Sequence, residues 1–214
     1  MSGSEHFSRY GRENMFEHAR DLHPGMDRRT LRTRQALHEA VIQLIIERDY
    51  DAISVSDIAD AANVGRSTFY AHFTDKDDLL RSGTDYLRSK VLHEHERAIA
   101  NEERADRRML GFSRFMTEHL GEQQRLYRSM MRGRAGPIII QQIQRSIEEI
   151  VRAELKSMSM PAGRSPEIAV KFVVGAYMSV LTWWVDRGAK EPPEEIDRAF
   201  RELALSGLGA FLDP

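Results

Sequence analysis

The stretch from Ser54 to Leu80, SVSDIADAANVGRSTFYAHFTDKDDLL, decides the fold. Ser54 stands just ahead of Val55, Ile58, Ala59 and Ala62, apolar positions that recur at helical spacing, so it is read as the N-cap of a short helix. Asn63 and Gly65 tolerate turn conformations, and Val64 between them is the apolar plug that lets two short helices pack steeply. In the run Arg66-Ser67-Thr68-Phe69-Tyr70-Ala71-His72-Phe73, Phe69 and Phe73 lie four apart and share the inward face of a second helix. That phase turns Arg66, Ser67, Thr68, Tyr70 and His72 outward. Asp75 is placed to cap a third helix, with Lys76, Asp77 and Asp78 in its first turn. The two aspartates suit the positive end of the helix dipole and Lys76 opposes it, so a nearby anion such as a DNA phosphate is the expected partner of Lys76.

Two short helices across a tight turn form a helix-turn-helix. The segment resembles the TetR family of one-component transcription regulators, whose signature runs from D-I-A through a turn with V, then T-F/L-Y-x-H-F, then x-K-x-x-L-L. Asp57-Ile58-Ala59, Val64, Thr68 to Phe73 and Lys76 to Leu80 match it, and the likeness covers roughly residues 30 to 85. Gly65 departs from the pattern: serine or threonine is common there, and glycine offers no hydroxyl to a phosphate. The resemblance implies a dimeric, ligand-responsive DNA-binding regulator, most often a repressor, that reads a pseudo-palindromic operator in double-stranded DNA with one recognition helix per half-site. On the residues themselves, Arg66 and Thr68 are the candidates for base edges, and Tyr70, His72 and Lys76 for phosphates, with Ser54 and Ser67 on the same surface. Arg28, Arg29 and Arg32, beside Arg34, form a basic patch able to lie along the backbone or in the minor groove.

A chain of 214 residues with 41% hydrophobic content can bury a substantial core in one or two domains. A net charge of -2 argues against a uniformly basic nucleic-acid coat, although a local patch suffices to read one groove. Zero cysteines exclude disulfides and thiolate metal sites. Apolar stretches broken by charges, and an N-terminus bearing Glu5, His6, Arg9 and Arg12, argue against a membrane role or secretion and fit the cytoplasm.

Residues 1 to 26 read as an extension, 27 to 74 as the three-helix DNA-binding domain, and 75 to 214 as a helical ligand-binding and dimerisation domain, with 75 to 99 a connecting helix. The first domain opens on a helix from Asp27 to Arg48 with Leu37, Val41, Leu44, Ile45 and Ile46 inward; the connecting helix carries Leu79, Leu80, Tyr86, Leu87, Val91 and Leu92. Further helices are expected at 108 to 120, 122 to 132, 138 to 158, 166 to 187 and 193 to 211, which makes the fold all-α.

The helix from Pro166 is apolar nearly all round and needs cover on two sides, which suggests a second copy of the chain. Gly175, Ser179, Trp184, Phe200, Leu203 and Leu208 are the candidates for that dimer interface. Phe112, Phe115, Met116, His119, Tyr127, Met130, Phe172, Tyr177 and Trp183, with Met131, are candidates for an effector pocket suited to an apolar or flat aromatic molecule, a cationic one included because tyrosine and tryptophan faces attract cations. An enzyme is not expected: His93 and His95 in the run His93-Glu94-His95-Glu96 point about 200° apart on a helix and cannot share one metal ion. No nucleophile elbow or phosphate-cradling loop stands elsewhere, and neither metal nor cofactor is expected. A helical adaptor that binds protein alone is the other class considered; it leaves the Thr68 to Lys76 run without a purpose.

Overall fold

The computed structural model describes residues 27–100, 109–131, 133–156 and 161–212, with 85–87, 90 and 94–100 as backbone alone. The extension over residues 1 to 26, the helix ends placed at 108, 132 and 158, and the side chains of Tyr86, Leu87, Glu94, His95 and Glu96 lie outside the described residues. Every regular element among the described residues is helical. Two compact units divide the chain, one made of the residues up to Ser89 together with Arg132–Ile139, the other of Lys90–Met131 and Ile140–Pro214.

In the first unit, α1 (Arg28–Glu47) buries Leu37, Ala40, Val41 and Ile45. Ile46, expected inward, is exposed, because one residue advances the helix by 100° and takes it off the stripe that Val41 and Ile45 share. A single 3-10 turn (Tyr50–Ala52) leads into α2 (Val55–Ala61), α3 (Arg66–Tyr70) and the long α4 (Lys76–Ala100). Ser54 caps α2 in a capping box: its hydroxyl accepts the Asp57 N–H at 3.1 Å while the Asp57 carboxylate accepts the Ser54 N–H at 2.7 Å. Hydrogen bonds from the Ser54 side chain and backbone hold the Asp57 carboxyl down at about 2, so the box persists at any physiological pH. Between α2 and α3 it is Asn63, at φ 52°, that takes the left-handed conformation, whereas Gly65 is extended at φ -73°.

Lys76 is not turned outward towards an anion. Its ammonium donates to the carbonyl oxygens of Tyr50 at 2.8 Å and Ile53 at 2.7 Å and sits 4.5 Å from the centre of the Tyr50 ring. The carbonyls of the 3-10 turn thus supply the negative partner that the helix dipole withholds. The next residue holds the other end of the same tyrosine, since the Tyr50 hydroxyl donates to Asp77 Oδ1 at 2.6 Å. Asp75 does cap α4, its side chain accepting the Asp78 N–H at 2.7 Å.

In the second unit, α5 (Phe112–Glu122), α6 (Gln124–Met130), α8 (Pro166–Asp186) and α9 (Pro193–Leu212) pack on one another. The intervening α7 (Ala135–Lys156) begins within the first unit and adds Ile143, Ile147 and Ile150 to the second. It starts three residues before the expected Ile138 because Pro137 falls in its first turn, where the missing N–H would have had no intrahelical partner. The core is built on Tyr177 and Trp184, both fully buried. The Tyr177 ring stands edge-on to Phe112 at 5.3 Å and packs on Phe200 at 4.7 Å, and its hydroxyl donates to the Ser113 carbonyl at 2.9 Å. Trp184 donates to the Glu191 carbonyl at 3.1 Å; close approach of Gly121 admits its ring, since a Cβ there would meet Trp184 at 3.1 Å and Pro193 at 2.9 Å.

Helix α8 corrects one expectation. At 21 residues it is long and apolar enough to cross a membrane by length and composition, because its charges, Glu167, Lys171 and Asp186, lie near its ends. One side of it, with Val170, Val173, Tyr177, Leu181 and Trp184, is packed into the unit as core.

Replacing Lys76 by methionine keeps the stem and removes the donor, leaving the turn carbonyls without their charged partner. A loss of about 2 kcal/mol in urea unfolding is expected; an unchanged midpoint would show that the ammonium contributes nothing there.

Candidate functional site

The recognition element is α3 with the residues that follow it. Phe69 and Phe73 are buried, 5.9 Å apart between ring centres, and fix the helix on its inner face. Opposite them Arg66, Ser67 and Tyr70 are exposed, Thr68 and His72 half-buried. Tyr70 stands edge-on against Phe69 at 5.5 Å, which orients its ring while half its surface stays open. Arg34 lies over the Phe73 ring at 4.4 Å and donates to the His72 carbonyl at 3.3 Å, tying α1 to the end of the recognition element. Partial burial, then the Arg34 charge, lowers the His72 pKa, so its imidazole offers a neutral hydrogen bond rather than a cation to a phosphate.

Arg28, Arg29 and Arg32 are exposed on α1. Two of the serine and lysine candidates have other work. Ser54 spends its hydroxyl proton on Asp57 at 2.6 Å within the capping box, and Lys76 is held by the turn carbonyls. Of the candidates around the turn, Arg66, Ser67, Thr68, Tyr70 and His72 keep side-chain surface open to solvent. At Gly65 a Cβ would meet only the Ser67 and Thr68 hydroxyl oxygens, at 3.6 and 3.9 Å, so the cap position has room for a serine side chain.

The second unit holds an open cleft of about 450 Å³, its mouth included, lined almost entirely by apolar atoms. Of the candidates for a pocket, Met116 and Tyr127 line it, with Met131. The rest of the wall comes from Leu120, from Ile140 and Ile143, and from Met178, Leu181, Thr182, Val185 and Asp186 on the last turns of α8. Those α8 residues form a stripe at spacings of three and four, a signal present in the sequence but hidden because α8 is apolar on every side. His119 stands behind the wall, stacked on Phe115 at 5.9 Å and edge-on to Tyr127 at 6.0 Å. Burial pushes its pKa down to about 4, so it adds no positive charge to the cleft. The remaining pocket candidates are placed elsewhere: Phe112, Tyr177 and Met130 are buried in the core, and Phe172 and Trp183 are about half exposed, on another side of α8. Sidedness explains the exchange, since neighbouring positions on a helix differ by 100°.

The same reasoning corrects the dimer candidates. Trp184, Phe200 and Leu208 are at most 3% exposed within their own chain and cannot face a partner. Gly175, Ser179 and Leu203 are exposed, and with Ile168, Phe172 and Trp183 they form an apolar face across α8 and α9. On α8 its members fall at 168, 172, 175, 179 and 183, close to the seven-residue repeat of packed helices. Phe172 lies against Gly207 of α9, where a Cβ would stand 3.4 Å from the ring. No group of three or more histidine or acidic side chains able to hold a metal occurs among the described residues.

A buried aromatic pair behind a polar helix face, seated on a capped helix and a tight turn, defines a helix-turn-helix regulator. The sequence matches the model of bacterial regulatory proteins of the TetR family over residues 37–82 and a transcriptional-regulator C-terminal region over 109–206. The chain belongs to the TetR family. It is 41% identical over 64 residues to the HTH-type transcriptional regulator YxbF of Bacillus subtilis, a match that covers 29% of this chain and 17% of that protein. Among solved structures, a TetR-family regulator from Syntrophomonas wolfei superposes with a TM-score of 0.66 at 19% identity, covering 81% of this chain and 93% of the other. FadR of Bacillus subtilis, in complex with stearoyl-CoA, gives 0.58 at 21% identity over 81% of this chain and 98% of its own. At such identities the structures share the fold.

Proposed function

We propose that this TetR-family regulator is a repressor that binds a pseudo-palindromic operator as a homodimer and changes its DNA affinity when a small molecule occupies the cleft of the second unit. It would act in the cytoplasm, where its DNA is. The observation that carries the DNA reading is the phase of α3, with Phe69 and Phe73 inward and Arg66, Ser67, Thr68 and Tyr70 outward. Arg66 and Thr68 take base edges; Tyr70 and His72 take phosphates; Arg28, Arg29 and Arg32 add contacts to the backbone. A protein-binding adaptor would have no use for that polar face on so short a helix. Tyr70→Ala is expected to weaken binding to an operator selected from random DNA by more than tenfold, with the circular dichroism spectrum unchanged. Equal affinity in a gel-shift titration would remove Tyr70 from the DNA surface.

The dimer reading rests on the face of Ile168, Phe172, Trp183 and Leu203, at 61, 50, 48 and 74% exposure. Large apolar side chains grouped in this way are costly to leave in water, and Gly175 and Ser179 between them admit a close partner helix. A glutamate in place of Phe172 should convert the protein to a monomer in analytical ultracentrifugation and reduce operator affinity with it. A variant that sediments as the wild type does would place the interface elsewhere.

The cleft favours an apolar body: three methionines give it an adaptable wall, and Asp186 is the charged group in the lining, at the negative end of the α8 dipole. Stearoyl-CoA, bound by FadR, combines an apolar chain with an anionic head; Asp186 points to an apolar molecule with a cationic or neutral head instead. Decyltrimethylammonium is therefore expected to bind about tenfold more tightly than decanoate by calorimetry. Tighter binding of decanoate would reverse the charge preference, and no binding of either would remove the cleft as effector site.

A further inference from the structure

Residues 133–139 belong to the DNA-binding unit, although Met131 shortly before them and Ile140 and Ile143 after them line the cleft of the other unit. Two features fit this segment to the base of the helix-turn-helix. Arg134 Nη2 lies 3.0 Å from Asp77 Oδ2, and its Nε lies 3.9 Å from Asp51 Oδ1. Gly133 has φ 64°, a conformation that costs glycine nothing, and a Cβ there would stand 2.9 Å from Asp51 Oδ2. The backbone at 133 thus favours a glycine, and Arg134 follows it between two carboxylates.

The two aspartates are not incidental surface acids. Asp77 accepts the Tyr50 hydroxyl at 2.6 Å in the first turn of α4, and Asp51 lies in the 3-10 turn whose carbonyls hold Lys76. That turn ends three residues before Val55, the first residue of α2. Arg134 thus bridges the turn that precedes α2 to α4, the helix that follows the recognition element.

We propose that Arg134, with Gly133, is the positioning residue through which occupancy of the cleft reaches the helix-turn-helix. The inference rests on the reading of the cleft as the effector site. From Met131 to Arg134 there are three residues, at most about 10 Å of chain, so a displacement of Met131 or Ile140 by an occupant is passed along a short tether. Arg134 is about two-thirds exposed, and exposed ion pairs bias an equilibrium by only about fivefold or less. A contact of that strength is made and broken by a ligand; a buried pair would hold the domain in one state whatever filled the cleft.

A double-mutant cycle tests this without the natural effector. Thr182→Trp places an indole in the cleft and stands in for an occupant, and Arg134→Ala removes the bridge. Operator affinity is measured for both single variants, the pair and the charge-conserving Arg134→Lys. The expected result is a threefold or larger change on Thr182→Trp that vanishes in the Arg134→Ala background and is partly kept with lysine. Hydrogen exchange should rise at residues 50–62 in Arg134→Ala and stay unchanged at 166–186. Additive effects would overturn the role of Arg134, as would a rise in exchange spread evenly over both stretches. An unchanged affinity in Thr182→Trp alone, together with no binding of decyltrimethylammonium, would instead overturn the effector reading and this inference with it.

Discussion

The ammonium of Lys76 among the carbonyls of Tyr50 and Ile53 is the contact on which the DNA-binding unit turns. Carbonyls at the end of a 3-10 turn have few backbone donors to satisfy them, and a cation at the start of a helix faces an unfavourable dipole. Each difficulty answers the other. The arrangement fixes Tyr50 by both ends, the backbone carbonyl on Lys76 and the hydroxyl on Asp77. Once Tyr50 is placed, Ser54 follows four residues later as the cap of α2, and the depressed Asp57 pKa keeps that cap closed. The recognition helix is thus seated from below by polar contacts and from inside by Phe69 and Phe73.

The second unit is organised differently. Its rigidity comes from two large buried aromatic residues, each with its polar atom satisfied: the Tyr177 hydroxyl on Ser113 and the Trp184 indole on Glu191. Against that fixed side of α8, the cleft wall is mostly methionine, leucine and isoleucine, with Tyr127, Thr182, Val185 and Asp186, and its three methionines are flexible. A single helix therefore carries a specified core face, a plastic cleft face and an apolar outer face. Each succeeds the next at 100° steps, which is why Trp183 and Trp184, adjacent in sequence, serve different surfaces.

Much of the first unit was legible from the sequence. Ser54 as a cap, the inward pair Phe69 and Phe73, and the start of α4 beside Asp75 all follow from local rules, because short helices on a small core leave little choice of phase. Lys76 was misread because its partner lies in the backbone of a turn more than twenty residues earlier, which no local pattern records. Among the described residues of the second unit the helices followed from periodicity, but their sidedness did not. Charged residues ordinarily mark the outer face, and α8 has none between Lys171 and Asp186. The assignments of Phe172, Tyr177, Trp183 and Trp184 therefore had no phase to rest on. Gly133 and Arg134 gave no signal, since their fit depends on Asp51 and Asp77, remote in sequence.

The exposure of the Arg134 side chain has a consequence for ionic strength. At physiological salt, charges are screened over about 8 Å, and a bridge open to solvent weakens as salt rises. Phosphate contacts weaken over the same range because releasing the same condensed counterions into a saltier solution gains less entropy. Under the proposed role of Arg134 in seating the helix-turn-helix, loosening that bridge lowers DNA affinity as well, so the salt dependence of binding would carry a share that belongs to the protein's own conformation. Counting phosphate contacts from that slope would then return more contacts than the recognition surface contains.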